Sequence, residues 1–357
     1  MGWAEEQKKE NDMNSLLLGG LAVGIIFGFA LQRGRFCMNS AFRDIVTLED
    51  FTLLKSVGAA LLVTMLGFTI MSQNGSIVLN PKPFFWGANM VGGFIFGVGM
   101  VLAGGCASGI TYRVGEGMVG SLVAVAGLAT AGTFTAMGFL KPVKDFLQTS
   151  TTVAGADGAA LTLNGILGMS HATLAYIIIA VSVLLWWFFG RNSEEPFDKG
   201  EHTWWECIYK CSWRWWATGI IIGIVEMIAY TSSAAAGRNY PLGITAGWIT
   251  IVKIGLPGVE ASMDWVAWLV IGIIAGAAIA ALIADEFKFR IPKGGVLVQV
   301  FIGGLLMGFG AVTSGGCNVT HILSGIPMLS IGSIVGGLFI VLGAWATAYF
   351  MFVRPMK

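Results

Sequence analysis

Nine long apolar stretches, separated by short polar ones, run from one end of this chain to the other. They lie at 15–31, 53–72, 86–103, 118–140, 172–190, 215–231, 264–284, 295–313 and 327–353. A helix needs roughly 17–25 mainly apolar residues to cross a bilayer. A soluble domain has about 25% charged residues, whereas this chain has 11%. The sequence therefore predicts an all-α polytopic membrane protein, with residues 1–357 in a single membrane domain of about nine transmembrane helices.

The distribution of positive charge predicts the orientation of the chain in the membrane. An odd number of spans places the two termini on opposite sides. Seven of the 21 lysines and arginines fall on the N-terminal side and fourteen on the other. Because cytoplasmic loops accumulate positive charge, we expect the N-terminus outside and the C-terminus in the cytoplasm. The net charge of +1 and the scattered lysines and arginines give no indication of a nucleic-acid partner.

Two segments of the chain repeat each other after a shift of 211 residues. GGFIFGVGMVLAGGC at 92–106 aligns with GGLLMGFGAVTSGGC at 303–317, and eight of the fifteen positions are identical. The same shift aligns the Pro-Lys pair at 81–82 with the Pro-Lys pair at 292–293. The copies form the third and the eighth predicted spans, which cross the bilayer in opposite directions. This pattern indicates an inverted internal repeat.

An inverted repeat divides the membrane domain into two halves. We expect the halves at about 15–140 and 215–353, joined by the span at 172–190 and a cytoplasmic loop at 191–214. Transporters of this architecture bind their substrate near the middle of the membrane, where the repeats meet.

Each copy of the repeat contains a Gly-Gly-Cys triplet at the end of an apolar run, followed by a short polar stretch. We interpret both stretches as helix breaks leading into short re-entrant helices, because exposed backbone is tolerated in a membrane only beside protein or a polar cavity. A helix that begins after such a break presents free N–H groups and partial positive charge, which favour an anion. The predicted substrate-lining residues are Gly104, Gly105, Gly315, Gly316 and Asn318, beside Cys106 and Cys317.

A third cysteine, Cys37, lies where the first span ends, in LQRGRFCMNSAFRD at 31–44. The charges around it indicate a helix break towards the cytoplasm, with Cys37 at the inner end of a path. A single free cysteine commonly packs as a small hydrophobic side chain, but two at equivalent repeat positions favour a functional role. Arg113 and His321 are candidates for electrostatic support; the alternatives are an arginine at a helix end and a histidine in the core.

Three motifs together resemble the YeeE/YedE sulfur-transport family, and are closest to its YeeE-type thiosulfate transporters. They are LQRGRFCMNSAFRD (31–44), VLAGGCASGITYRVGEG (101–117) and VTSGGCNVTH (312–321). The resemblance extends over nearly the whole membrane part, including GITAGW at 243–248 and EFKFRIPK at 286–293.

The resemblance implies thiosulfate uptake through the bacterial inner membrane and an hourglass-shaped inverted-repeat fold. It implies that Cys37, Cys106 and Cys317 bind the anion in turn through weak S–H contacts as it moves inward. It also implies that a TusA-like sulfurtransferase is the cytoplasmic partner. Since YedE-type relatives are linked to selenium-related transport, another small sulfur- or selenium-containing anion remains the alternative substrate.

The chemistry of thiosulfate suits neutral thiols. The ion has two negative charges and a soft terminal sulfur, and a conduction path must bind its substrate and also release it. A neutral thiol is a weak donor with a polarisable acceptor, so it can recognise the ion without trapping it. A covalent persulfide intermediate stays open as a rival mechanism.

We do not expect an enzyme, and the main enzymatic alternative is a membrane thiol oxidoreductase. The cysteines that are close in sequence are Cys207 and Cys211, in a tryptophan-rich stretch at 191–216 interpreted as a helix lying at the membrane interface. Cys207, Cys211 and the nearby His202 lack a second pair of metal ligands. Neither a metal nor a cofactor is therefore predicted. The segment 145–171 is expected to be an external loop without chemistry of its own.

Overall fold

The computed structural model describes residues 2–155, 158–189, 203 and 205–356. Within this part of the chain, nine helical stretches are long and apolar enough to cross a membrane. They are Leu16–Thr47, Thr52–Gln73, Trp86–Gly115, Val119–Ala136, His171–Phe188, Trp215–Ala235, Trp265–Ile283, Gly294–Ser314 and Ile331–Val353. The prediction of an all-α polytopic membrane protein with about nine spans is confirmed.

The elements follow one another along the chain in a simple order. They are α1 (Gly2–Arg33), α2 (Met38–Thr47), α3 (Thr52–Gln73), β1 (Phe84–Phe85), α4 (Trp86–Leu102), α5 (Ala107–Gly115), α6 (Val119–Ala136), α7 (Lys141–Ser150), β2 (Thr152–Val153), α8 (Leu163–Ile166), α9 (His171–Phe189), α10 (Glu206–Tyr209), α11 (Trp215–Ala235), α12 (Ile244–Ile254), α13 (Trp265–Ile283), α14 (Gly294–Ser314), the π-helix π1 (Val319–Gly325) and α15 (Ile331–Ala348). A π-helical turn at Tyr349–Val353 and a 3-10 turn at Arg354–Met356 follow α15.

The long helices pack in pairs that join the two predicted halves. Helix α1 packs along α13 and α3 along α11, while α4 packs on α15 and α6 on α14. Helices α4 and α14, the two copies of the repeat, also pack on each other. Gly24 on α1 and Gly272 on α13 lie against each other, and a methyl group on either would overlap the opposite backbone. Small residues allow such close approach, which is how helices associate without a hydrophobic driving force in lipid.

The element order repeats after a shift of 211 residues. Helices α3, α4, α5 and α6 then correspond to α13, α14, π1 and α15. The same shift makes α11 the counterpart of α1. The packing agrees with this correspondence, since α3 packs on α11 and its counterpart α13 packs on α1. The boundaries of the halves and their inverted orientation remain predictions.

Several short elements lie where the sequence predicts only loops. The segment 145–171 is not the plain external loop expected for it, because it contains most of α7, all of α8 and β2, which pairs with β1. From α7, Gln148 Nε2 donates to the carbonyl oxygens of Val312 (3.2 Å) and Thr313 (3.0 Å). This segment therefore satisfies backbone groups at the end of α14, directly before the second helix break.

The tryptophan-rich stretch differs from the interfacial helix expected for it. Its described part contains only the four-residue helix α10 before α11 begins at Trp215. Cys207 and Cys211 form a disulfide, with their Cα atoms 4.4 Å apart. His202 lies outside the described residues.

Candidate functional site

Each of the three predicted site cysteines stands directly before a short helix. Cys37 is the N-cap of α2 and Cys106 the N-cap of α5, while Cys317 precedes Asn318, the N-cap of π1. The exposed fractions of the three side chains are 1%, 0% and 1%. The structure therefore places a buried thiol at the start of three short helices within the bundle.

The Gly-Gly pairs make the breaks that the sequence indicates. Gly104 has φ +70° and Gly315 has φ +84°, a left-handed conformation that glycine adopts without steric cost. Gly105 is packed instead, because a methyl group there would lie 3.0 Å from both Arg113 Nη1 and Ile110 Cγ2. In each pair, the first glycine turns the chain away from the preceding helix.

Cys37 and Cys106 come together although they are far apart in sequence. Their Sγ atoms are 3.8 Å apart, and we call them the thiol pair. The backbone N–H of Gly109 donates to Cys106 Sγ at 3.3 Å, as expected for an N-cap acceptor. A methyl group at Gly109 would lie 2.8 Å from Cys37 Sγ and 3.1 Å from Cys106 Sγ. The missing side chain of Gly109 thus provides the room in which the two sulfurs meet.

Cys317 is linked to the thiol pair through its neighbour in sequence. Cys317 Sγ lies 3.6 Å from Thr320 Oγ1. The next residue, Asn318, donates from Nδ2 to the sulfur of Met38 at 3.3 Å, and Met38 directly follows Cys37. Sequence reasoning missed Met38, whose only signal was its position beside Cys37.

A cavity of about 230 Å³ opens beside Cys317, and we call it the Cys317 cavity. Its lining includes Lys82, Arg238, Thr245, Gly315, Gly316 and Thr320. Within the described part of the chain, neither Lys82 nor Arg238 takes part in an ion pair. A small anion entering this cavity would meet two cations that form no direct ion pair with a carboxylate among the described residues.

Tyr240 arranges the two cations around the cavity. Lys82 Nζ lies 4.3 Å from the centre of the Tyr240 ring, and Arg238 Nη1 donates to the Tyr240 carbonyl oxygen at 2.6 Å. The Tyr240 hydroxyl donates to the carbonyl oxygen of Thr320 at 2.8 Å. Burial, and then the positive charge of Arg238, lower the pKa of Lys82 to about 8. The sequence pointed to Lys82 only through the repeated Pro-Lys pair, and to Arg238 not at all.

A second cavity, of about 550 Å³, contains Arg113 in its lining together with Gly104 and Arg290. Arg113 Nη1 donates to the Gly104 carbonyl oxygen at 2.6 Å. Arg113 therefore satisfies the backbone released at the first break, next to the thiol pair.

His321 lies in π1 and is fully buried. Its Nδ1 and Nε2 atoms lie 3.4 Å from Ser333 Oγ and 3.3 Å from Ser314 Oγ. The ring therefore ties π1 to α14 and α15, which is the geometry of a hydrogen-bonded core residue.

A network of charged residues surrounds the turn that leads into Cys37. Arg33 forms an ion pair with Glu286, and Arg35 reaches Glu116 at 3.1 Å and Glu286 at 2.8 Å. Gln32 Nε2 donates to both carboxylates, at 3.2 Å for Glu116 and 2.6 Å for Glu286. Here the cations are neutralised by acidic partners, unlike those of the Cys317 cavity.

A family model described as sulphur transport matches residues 33–346, which is most of the chain. The matched region contains all three cysteines and both cavities.

Two thiosulfate transporters match over nearly their full length, and a third relative matches over a shorter stretch. The thiosulfate transporter TsuA of Spirochaeta thermophila is 39% identical over 343 residues, which cover 94% of this chain and 99% of the relative. The thiosulfate transporter TsuA of Escherichia coli is 30% identical over 359 residues, covering 97% of both chains. The probable transporter YedE of Escherichia coli is 36% identical over 121 residues, covering 33% of this chain and 28% of that protein.

Proposed function

The chain belongs to the sulphur-transport family, and we propose that it takes thiosulfate into the cytoplasm along a path from Cys317 to the thiol pair. It is a transporter and not an enzyme, since its near-full-length relatives are both named as transporters. Thiosulfate is favoured over other sulfur or selenium anions because both of these relatives are named thiosulfate transporters. The shorter YedE match covers only a third of the chain.

The Cys317 cavity is the proposed entry site. Thiosulfate has two negative charges, and the cavity offers two cations, Lys82 and Arg238, without neutralising carboxylates among the described residues. The Cys317 thiol lies beside them as a weak donor that suits the soft terminal sulfur of the ion. Charge attracts the ion, and the thiol recognises it.

From Cys317 the ion passes to the thiol pair. The link runs past Met38, whose sulfur accepts from Asn318 at 3.3 Å, to two thiols 3.8 Å apart. Each contact is weak, so the ion can leave a site as readily as it binds, which conduction requires. The thiols stay protonated during passage, because a thiolate would repel a divalent anion.

We place the protein in the bacterial inner membrane, with the N-terminus outside and the C-terminus in the cytoplasm. The support is the excess of lysine and arginine on the C-terminal side. The thiol pair and its charged network then lie on the cytoplasmic side of Cys317. A cytoplasmic TusA-like sulfurtransferase is the proposed acceptor, and cross-linking of such a protein to the loop at 284–293 tests it.

The observation that supports this path best is the contact between Cys37 and Cys106 at the starts of two short helices. The test is growth on thiosulfate of a strain that lacks sulfate and thiosulfate uptake. The chain restores growth, and Cys106→Ala abolishes it. A Cys207→Ser, Cys211→Ser double variant is the control, because it removes two cysteines outside the path. Normal growth with Cys106→Ala would contradict the path.

A second measurement separates the neutral relay from a persulfide mechanism. Protein trapped during transport is digested and searched by mass spectrometry for extra sulfur on Cys106. The neutral relay predicts an unmodified thiol, and a persulfide on Cys106 that forms and decays with transport would contradict it.

A further inference from the structure

Glu226 lies in the middle of α11, a helix that spans the membrane, and is completely buried. It is the only acidic or basic residue between Trp215 and Ala235. An ionisable side chain at membrane depth is costly, and it commonly marks an ion or proton pathway. The path through the cysteines does not use it.

The contacts of Glu226 connect it to the proposed path. Ser324 Oγ lies 3.4 Å from Glu226 Oε1 and 3.3 Å from Oε2, and it can donate to one of them. Ser324 belongs to π1, the helix that follows Cys317. Among the described residues, no basic side chain lies within 4 Å of the Glu226 carboxylate. The carboxylate thus lies next to the path without an ion-pair partner.

The other groups that act on Glu226 come from the loop between α11 and α12. The positive charge of Arg238 acts on Glu226, the uncharged hydroxyl of Tyr240 lies near it, and Arg238 also lines the Cys317 cavity. Helices α1 and α3 pack on α11 as well, and from residue 16 onward their ionisable residues are Arg33 and Lys55, close to the helix ends. The helix π1 also packs on α11, and its titratable residue is the buried His321. One cation, Arg238, therefore acts on the buried carboxylate and also lines the proposed site of anion entry.

We infer that Glu226 binds a proton that enters together with each thiosulfate ion. This inference rests on the proposed function. An ionised Glu226 repels a dianion beside Cys317, and protonation removes that repulsion. By reciprocity, the bound anion strengthens proton binding by the same factor.

The same coupling lowers the electrical cost of uptake. Inward movement of a divalent anion against an inside-negative potential is uphill, whereas the proton moves downhill. The carboxylate takes up H⁺ from the outer side and releases it to the inner side, and no group is oxidised or reduced. One proton per cycle reduces the charge moved inward from −2 to −1.

The test uses the purified full-length protein in sealed lipid vesicles. The vesicles contain a pH-sensitive dye, and potassium with valinomycin holds the membrane potential at zero. An inward thiosulfate gradient is applied, and thiosulfate entry and internal acidification are recorded together. Wild type is expected to acidify the vesicles in step with thiosulfate entry. Entry without acidification would overturn this inference alone, and no entry would overturn the proposed function and this inference with it.

Two variants assign the proton to Glu226. Glu226→Gln keeps the size and hydrogen-bonding capacity, so thiosulfate exchange across the membrane is expected to stay within about threefold while acidification falls at least tenfold. Unchanged acidification would overturn the assignment. If Glu226→Gln does not fold, Ser324→Ala is the alternative test. Without the hydroxyl donor the Glu226 carboxyl holds its proton more tightly, so the pH of half-maximal uptake is expected to move upward. An unmoved pH profile in Ser324→Ala would also overturn it.

Discussion

At the Cys317 cavity a lone thiol lies beside two cations that have no carboxylate partner among the described residues, Lys82 and Arg238. At the thiol pair two sulfurs are in contact, and the nearby Arg33 and Arg35 are neutralised by Glu116 and Glu286. The first region has free positive charge and little sulfur, whereas the second has sulfur and balanced charge.

This difference in charge would give the two regions different affinities for a divalent anion. Free cations attract a divalent anion strongly, and the attraction is largest where burial lowers the local dielectric. Balanced charges leave only weak thiol contacts, from which the ion departs. In the proposed path, capture at Cys317 and release beyond the thiol pair are the steps that this arrangement of charge would favour, and the predictions below test the two regions against each other.

The largest expected effect is on stability, at the balanced network. Glu286→Ala leaves the buried Arg33 without its partner, and an uncompensated buried charge is strongly destabilising. Because Glu286 is itself partly exposed, we expect a loss of about 3 kcal/mol, at the lower end of that range. Thermal unfolding in detergent measures it. Asp145→Ala, which breaks an exposed pair with Lys141, is the control and should leave the melting temperature nearly unchanged.

The next effect concerns the space between the two thiols. Gly109→Ala inserts a methyl group 2.8 Å from Cys37 Sγ and 3.1 Å from Cys106 Sγ, so the sulfurs must separate. We expect the maximal uptake rate to fall by at least about tenfold, or ~1.4 kcal/mol of barrier, with thiosulfate binding at the Cys317 cavity retained. Gly295→Ala, at a glycine with open space around it, is the matched control. Unchanged uptake in Gly109→Ala would show that the thiol contact is not needed.

Removal of one entry cation should weaken capture and leave the later steps intact. Lys82→Met retains the length of the side chain without its charge. The KM for thiosulfate is expected to rise about tenfold, which corresponds to ~1.4 kcal/mol, with little change in maximal rate. Uptake kinetics in vesicles measure both. A lower maximal rate with unchanged KM would place Lys82 after capture.

The pH dependence of capture should follow the same lysine. The pKa of Lys82 is lowered to about 8 by burial and by Arg238, so its charge is present below pH 8 and lost as the pH rises through that value. Measured in the Glu226→Gln background, where position 226 does not titrate, the KM should rise about fivefold between pH 7 and pH 9, given a tenfold effect of the charge. Lys82→Arg, which stays protonated throughout, is expected to remove most of this rise. A full rise in Lys82→Arg would assign the titration to another group.

The spans and the helix breaks could be predicted from the order of the residues. Both depend on local properties, since a membrane accepts only backbone whose hydrogen bonds are satisfied and a Gly-Gly pair releases the chain from a helix. Nine spans, the positions of the breaks at Gly104 and Gly315, and the short helices after Cys106 and Cys317 could therefore be predicted from the order of the residues alone.

The contacts between distant side chains became visible in the folded chain and could not be predicted. The contact of Cys37 with Cys106, the approach of Lys82 and Arg238 to Cys317, and the hydrogen bond between Ser324 and Glu226 join residues 69 or more positions apart. These contacts depend on how α1, α3 and α4 pack on α13, α11 and α14, because a shift of one helix turn would move each side chain by about 5.4 Å. The periodicity and composition of the sequence do not specify this register between helices, whereas the close packing of glycines between the helices does.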